Sequence, residues 1–203
     1  MDNQAYLDKI SAKNRPVKSD GFLKSPIFKP LLIGAIAVVI FLVILIAKSG
    51  NNNTLENRVA ALQLHVDNLS TTMNTYQPSV KSSILRSNSA TLKSVLSSTS
   101  STLSNLASSL KKGKESSLDK NTKAKETALA KELEDDLFNA KINGLLDRTY
   151  ARKMAYEISI ITAREADIIK SIKSEDTKAA LESSRSSLLT IYDSFNNFSE
   201  AKK

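Results

Sequence analysis

An uncharged apolar run constrains this chain more than any other feature. Residues 30–47 read PLLIGAIAVVIFLVILIA, and thirteen of these eighteen residues are Leu, Ile, Val or Phe. An α-helix of that length, rising about 1.5 Å per residue, is roughly 27 Å long, which is close to the thickness of the hydrocarbon core of a bilayer. We therefore predict a single transmembrane helix over residues 30–48.

The charge around this run predicts its orientation. Residues 1–29 carry six basic and three acidic side chains, and basic flanks stay on the cytoplasmic side of a membrane. We predict a cytoplasmic basic arm over 1–29 that can touch anionic headgroups. The predicted location is the cell membrane, with a single pass and an extracytoplasmic carboxyl-terminal domain. A signal peptide cleaved near AKS at 47–49 is the alternative, but the length of the run favours an uncleaved anchor.

The region after a short linker, 49–53, has the periodicity of packed helices. Its apolar residues recur every three or four positions and form a seam, meaning a stripe along one helix face that packs on another helix. The first seam consists of Leu55, Val59, Leu62, Val66, Leu69, Met73 and Tyr76. It predicts a helix over about 54–76, which bends or restarts at Pro78 because proline lacks the amide proton that a helix needs.

The next segment is rich in hydroxyl side chains yet keeps a helical stripe. Residues 92–114 contain ten Ser and Thr, which are mediocre helix formers. The leucines share one face, with Thr99 in the gap of the pattern: Leu85, Leu92, Leu96, Leu103, Leu106 and Leu110. We predict a helix over 79–111 that depends on packing of this stripe and ends at Gly113.

The remaining sequence predicts two further helices, at about 117–173 and 175–199. The first has no proline and a potential kink at Gly144, and Ser174 caps the second.

Residues 54–111 and 117–173 are similar in length and predict two antiparallel rods. In that register Lys81 faces Asp147, and Lys93 faces the acidic run that begins at Glu132. The predicted fold is all-α: a single amino-terminal transmembrane helix, then an extended helical hairpin or coiled-coil-like bundle of three to four long helices within 54–203.

Few residues offer chemistry. The chain has no Cys and one His, which excludes thiol nucleophiles and multi-histidine metal sites. We interpret His65 as an ordinary surface or boundary residue, and Tyr150 as a packing residue. The acidic run is interpreted as a solvated helix face rather than a calcium site, and it comprises Glu132, Glu134, Asp135 and Asp136. We assign no catalytic, cofactor-binding or metal-binding residue and predict no cofactor.

One stretch resembles a known family. NRVAALQLHVDNL through YQPSV, within residues 57–84 and after an amino-terminal membrane helix, resembles the start of LemA-type membrane-anchored helical proteins. Of that family's Arg-Asp-Leu-Ile-Pro-Asn pattern, the chain keeps the proline, Pro78. The resemblance implies an anchored helical protein and assigns no activity.

These features together predict a non-enzymatic structural or protein-interaction module at the cell envelope. The expected partners are the lipid bilayer and either another protein or further copies of this chain, paired for example through the 55–76 seam. The net charge of +8 comes without a nucleic-acid-binding motif, so we predict no nucleic-acid partner. The alternative is a membrane-anchored sensor whose outer bundle binds a small ligand.

Overall fold

The computed structural model describes residues 54–110 and 118–199, which fold as an all-helical bundle. The predicted arm 1–29, anchor 30–48 and linker 49–53 lie outside these residues, as does the predicted helix end at Gly113. The chain divides into two units, Met1–Ser49 and Gly50–Lys203, and everything described belongs to the second. None of the helices in the described part is both long and apolar enough to cross a bilayer.

The described residues form five helices and a short 3₁₀ turn, and none of them forms a strand. The helices are α1 (Leu55–Tyr76), α2 (Ser83–Leu110), α3 (Lys120–Ile142), α4 (Leu146–Ile169) and α5 (Glu175–Asn196), with the 3₁₀ turn at Gln77–Ser79 between α1 and α2. Side-chain oxygens cap four of the starts, from Thr54 on α1, Ser82 on α2, Asp119 on α3 and Ser174 on α5. The predicted cap at Ser174 is confirmed.

Successive helices run in opposite directions. Helices α1, α2, α5 and α4 form a closed ring in which each packs on the next, and α3 packs on the outside of α1 and α4. The hydroxyl of Ser100 on α2 donates to the Asp67 carboxylate on α1 at 2.8 Å. Across the other side of the ring, Ser184 on α5 bonds both Thr99 on α2 and Glu165 on α4.

The predicted seams form the core. Val59, Leu62, Val66 and Met73 on α1 are fully buried, so the first seam is confirmed as a packing surface. The leucine stripe of α2 is equally buried, at Leu85, Leu92, Leu96 and Leu103. Because helices of the same chain cover the α1 seam, self-association through 55–76 would require the bundle to open.

The chain folds back at Pro78 instead of continuing as one kinked rod. Residues 77–82 reverse its direction, so α1 and α2 form an antiparallel hairpin. Residues 81 and 147 do meet, as the predicted register requires, but the contact is between the Asp147 carboxylate and the backbone amides of Lys81 and Ser82. The predicted approach of Lys93 to Glu132 is wrong, because α2 packs on α1 and α5, whereas α3 packs on α1 and α4.

The single helix predicted over 117–173 is two helices, because the first helix ends just before Gly144 instead of continuing through a kink. Gly144 has a φ of 70°, in the left-handed region that side chains disfavour. The amide of Leu145 donates to the Ala140 carbonyl at 2.8 Å, and that of Gly144 donates to the Lys141 carbonyl at 3.3 Å. This pair of bonds is the Schellman arrangement that terminates helices, and it turns α4 back along α3.

Candidate functional site

His65 is buried, so its interpretation as a surface or boundary residue is wrong. Only 5% of it is exposed. The reason is that α3 covers a second face of α1, beside the seam, on which His65 lies one helical turn from Ala61 and two from Thr72. That face is half polar in sequence, so apolar periodicity alone did not mark it as a packing surface.

A four-residue group of charges surrounds the imidazole, and we call His65, Glu126, Glu157 and Arg164 the His65 cluster. The imidazole Nδ1 lies 2.9 Å from Glu126 Oε2, and Nε2 lies 2.9 Å from Glu157 Oε2. The Arg164 Nη1 lies 2.8 Å from Glu126 Oε1. The contacts of Nε2 and Nη1 are close but off the line of the N–H bonds, so they are ionic contacts rather than aligned hydrogen bonds. The cluster joins α1, α3 and α4.

The surroundings favour the protonated imidazole. Burial lowers the pKa of His65 more than any other single influence, but the contacts with Glu126 and Glu157 together raise it above the ordinary value. Burial likewise raises the pKa of Glu126, and contacts with His65 and Arg164 outweigh it, so the pKa of that carboxyl is lowered. An imidazole has donors on both nitrogens only when it is protonated, which matches a carboxylate beside each nitrogen.

The space beside the cluster is small. A cavity of about 10 Å³ is lined by His65, Glu126, Glu157 and neighbours from α1 and α3, which is room for about one water molecule. Both imidazole nitrogens and both carboxylates already have ionic partners. The cluster is therefore best described as a contact that holds three helices together. A general base must reach a proton of the substrate, and His65 has little space around it for a substrate.

A second polar group lies on the opposite side of α4, and we call Glu165, Ser184 and Thr99 the Glu165 cluster. Glu165 is fully buried. Its Oε1 lies 2.7 Å from the Ser184 hydroxyl, which lies 2.6 Å from the Thr99 hydroxyl. Thr99 in turn lies 2.9 Å from the Val95 carbonyl. The cluster joins α4, α5 and α2.

Glu165 is held in its neutral form more strongly than an ordinary glutamate. Burial raises its pKa to about 7, against a smaller lowering from Ser184, and its Oε2 has no hydrogen-bond partner. Each hydroxyl has one proton to donate. A protonated Glu165 lets the acid donate to Ser184, Ser184 to Thr99 and Thr99 to the Val95 carbonyl, so that each contact in the chain has its own proton. An ionised Glu165 leaves one of these contacts without a donor.

The sequence held partial signals for these groups. Thr99 was placed in the leucine stripe of α2, and it meets Ser184 at the α2–α5 contact. On α4 the apolar positions run through Ile161 and Ile168 and leave a gap at Glu165, which is the signal that periodicity offered. Glu126, Glu157 and Arg164 lack such a signal, because charged residues on a helix usually lie in solvent.

The remaining interpretations concern the acidic run and Tyr150. Glu132, Glu134 and Asp135 are exposed, and Asp136 forms an ion pair with Lys153 of α4, so the run is a largely solvated face. Tyr150 is fully buried and bonds the Ser89 hydroxyl at 3.1 Å, which confirms it as a packing residue. In the described ranges, no three His, Asp or Glu side chains are arranged to hold a metal ion.

Comparison with known protein families, with curated proteins and with solved structures found no match to this chain.

Proposed function

We propose that this protein is a single-pass membrane-anchored helical protein that acts as a non-enzymatic structural or protein-interaction module at the cell envelope. The apolar run at 30–47 supports an anchor, and the bundle begins eight residues after it, at Leu55. The excess of basic residues before the run supports a cytoplasmic amino terminus.

The observation that carries the proposal is that the buried side chains of the bundle contact one another and connect its helices. Its apolar seams face inward, and its two buried polar clusters each join three helices. A bundle whose helices are joined in this way is preorganised, and preorganised surfaces suit binding to partners. Protein partners or further copies of the chain would then bind the outer faces of the helices.

The alternative, a ligand sensor, has less support. Sites for small molecules usually enclose about 300–1,000 Å³, whereas the cavity beside His65 measures about 10 Å³. That cavity is also lined by charged groups that already have partners. A small ligand would therefore have to separate α3 from α1 before it could enter there.

The proposal is tested in two steps with the full chain in its native membrane. Protease added outside intact cells should digest the region 54–199 and leave the arm 1–29 protected. Photo-crosslinking residues placed at exposed α2 positions, such as Ser94 and Ser101, and at exposed α5 positions, such as Glu182, should then capture a defined protein or a second copy.

Substitution of the same crosslinker at the buried Leu96 is the matched control and should capture nothing. The proposal is wrong if the carboxyl-terminal region is protected in intact cells, if no exposed position yields a defined product, or if the purified chain turns over an envelope substrate.

A further inference from the structure

Two turns meet at one end of the bundle, which we call the tip and define as residues 77–86 and 138–148. Asp147 joins them: its Oδ1 accepts the Lys81 amide proton at 2.9 Å and its Oδ2 accepts that of Ser82 at 2.7 Å. The tip lies at the opposite end of α1 from Leu55, where the chain enters the bundle.

The tip collects the large apolar side chains that the bundle leaves uncovered. Ile84 and Ile142 are each 65% exposed, and Phe138 and Leu145 are each 55% exposed. Phe138 and Ile142 are one helical turn apart and therefore share a face of α3. Among the described residues, only Tyr156 and Leu189 are other large apolar side chains with comparable exposure, and each stands alone on a different helix.

The charge at the tip is positive. Its charged residues are Lys81, Arg86, Lys141, Asp147 and Arg148. The single acid, Asp147, already has both carboxylate oxygens bonded to backbone amides. The four basic side chains are exposed. The nearest exposed acids of α3, Glu134 and Asp135, lie about one helical turn before Phe138 and therefore farther from the end of the bundle.

We propose that the tip docks on an anionic lipid surface, with its apolar side chains entering the boundary between headgroups and acyl chains and its basic side chains beside the headgroups. Apolar residues flanked by Lys and Arg are what peripheral membrane binding requires. This inference goes beyond the proposed function and needs no protein partner.

The placement of the apolar residues favours lipid over a partner helix. Ile84 is in the first turn of α2, Ile142 ends α3, and Leu145 lies between α3 and α4. These side chains stand at helix ends and in a turn. A partner helix binds along a continuous apolar face, whereas a lipid boundary accepts separate apolar side chains whose neighbouring polar groups stay hydrated.

The test measures binding of the full chain, held in nanodiscs of neutral phosphatidylcholine, to separate vesicles. One set of vesicles is pure phosphatidylcholine and the other contains about a third phosphatidylglycerol. We expect binding to the anionic vesicles and weakening at high salt, because headgroup charge is screened. Ile142→Ser with Leu145→Ser should lower the affinity at least about tenfold, and Lys141→Gln with Arg148→Gln about 25-fold.

Matched variants away from the tip serve as controls. Leu189→Ser removes an exposed leucine on α5, and Lys170→Gln with Lys173→Gln removes two charges at the other end of the bundle. Both should bind the anionic vesicles as the unsubstituted chain does. Because every variant keeps residues 1–53, any difference between them belongs to the tip, and Ile84→Ser on the other turn provides an independent apolar variant.

Three results would overturn the inference. The first is equal binding to neutral and anionic vesicles, and the second is equal loss of binding in the tip variants and the controls. The third is unchanged vesicle binding in tip variants that lose a photo-crosslinked protein, which would assign the tip to a protein partner. None of these results bears on whether α2 or α5 contacts a partner, so the proposed function stands or falls separately.

Discussion

At the scale of single residues, the bundle depends on the protonation of groups that it buries. His65 and Glu165 both have raised pKa values, for different reasons: His65 gains two carboxylate neighbours, whereas Glu165 loses water and gains little. In both cases the folded chain binds the proton more tightly than the unfolded chain does. Stability must therefore fall as pH rises through each titration.

The contribution of His65 should be complete at pH values below its ordinary pKa of 6.5 and should be lost as pH rises through its higher folded value. His65→Ala removes the imidazolium and leaves Glu126 and Glu157 buried with only Arg164 to balance them. We expect a loss of about 3–5 kcal/mol in the free energy of unfolding at pH 6. Urea unfolding between pH 6 and 9 would measure it.

Two features identify the His65 effect in that experiment. The variant should show a weaker pH dependence above 6.5 than the unsubstituted chain. The solvated substitution Glu132→Ala, on the outer face of α3, should change stability by less than about 0.5 kcal/mol, and a similar loss in both variants would argue against a specific role for the cluster.

The raised pKa of Glu165 leads to a separate prediction about stability at lower pH. Its carboxyl should lower stability progressively between its ordinary pKa of 4.5 and its folded value of about 7. Glu165→Gln keeps the shape and removes the titration, so we expect it to be more stable than the parent chain at pH 8, by up to about 3 kcal/mol. The thermal midpoint at pH 5 and pH 8 would show it.

The comparison that decides this prediction is between the two pH values. At pH 5 the difference should be much smaller, because the carboxyl is neutral in the folded chain and pH 5 is only just above its unfolded pKa of 4.5. A glutamine variant that is less stable than the parent at pH 8 would contradict the raised pKa of Glu165.

At the scale of helices, the lengths of the elements are decided by single residues at their ends. Pro78 and Gly144 each end a helix, so two predicted rods become four helices. The seams were predictable because a period of three and four residues is a property of the sequence. The folding back at each break was not, because proline and glycine allow a kink as readily as a reversal, and only packing between distant helices decides.

Gly144 should be costly to replace even though there is room for a side chain. A Cβ at this position would meet no atom within 4 Å, so the cost comes from the positive φ alone. We expect Gly144→Ala to lower the free energy of unfolding by about 1–2 kcal/mol. Gly144→Asn is the matched variant and should cost less, because asparagine tolerates the left-handed region; equal costs would argue against backbone strain.

Sequence periodicity also could not choose partners for α2. Its outer positions are mostly hydroxyl and amide side chains, and Arg86 and Lys93 are its only charged residues, so charge was a poor guide to its neighbours. The expected pairing of Lys93 with the acidic run followed from the matched helix lengths and the opposite charges, and it was wrong. In the structure, α2 packs on α1 and α5 through its buried leucine stripe, and Thr99 bonds Ser184 of α5 at 2.6 Å.

At the scale of the whole molecule, the closed ring of α1, α2, α5 and α4 has no large apolar seam left for assembly. The isolated unit Gly50–Lys203 should therefore be a monomer in solution. Leu62→Asp places a charge in the core and should unfold this unit at every protein concentration, since no subunit interface is involved. Light scattering and circular dichroism across a hundredfold range of concentration would measure both properties.

Leu189→Asp is the matched control for this prediction, because Leu189 is 42% exposed. It should leave both the mass and the helix content unchanged. A unit that is dimeric when native, and whose Leu62→Asp variant is a folded monomer, would show instead that α1 serves assembly.

The neighbouring residues Arg164 and Glu165 look out from opposite flanks of α4, one toward α1 and α3 and the other toward α2 and α5. Raising the pH deprotonates His65 on one side of α4 and Glu165 on the other, and both changes lower stability. We therefore expect α4 to separate first from the other helices as pH rises. The hairpin of α1 and α2 should keep its amide protection longest. Hydrogen exchange corrected for intrinsic rates would follow that order directly, and earliest loss in the α1–α2 hairpin would contradict it.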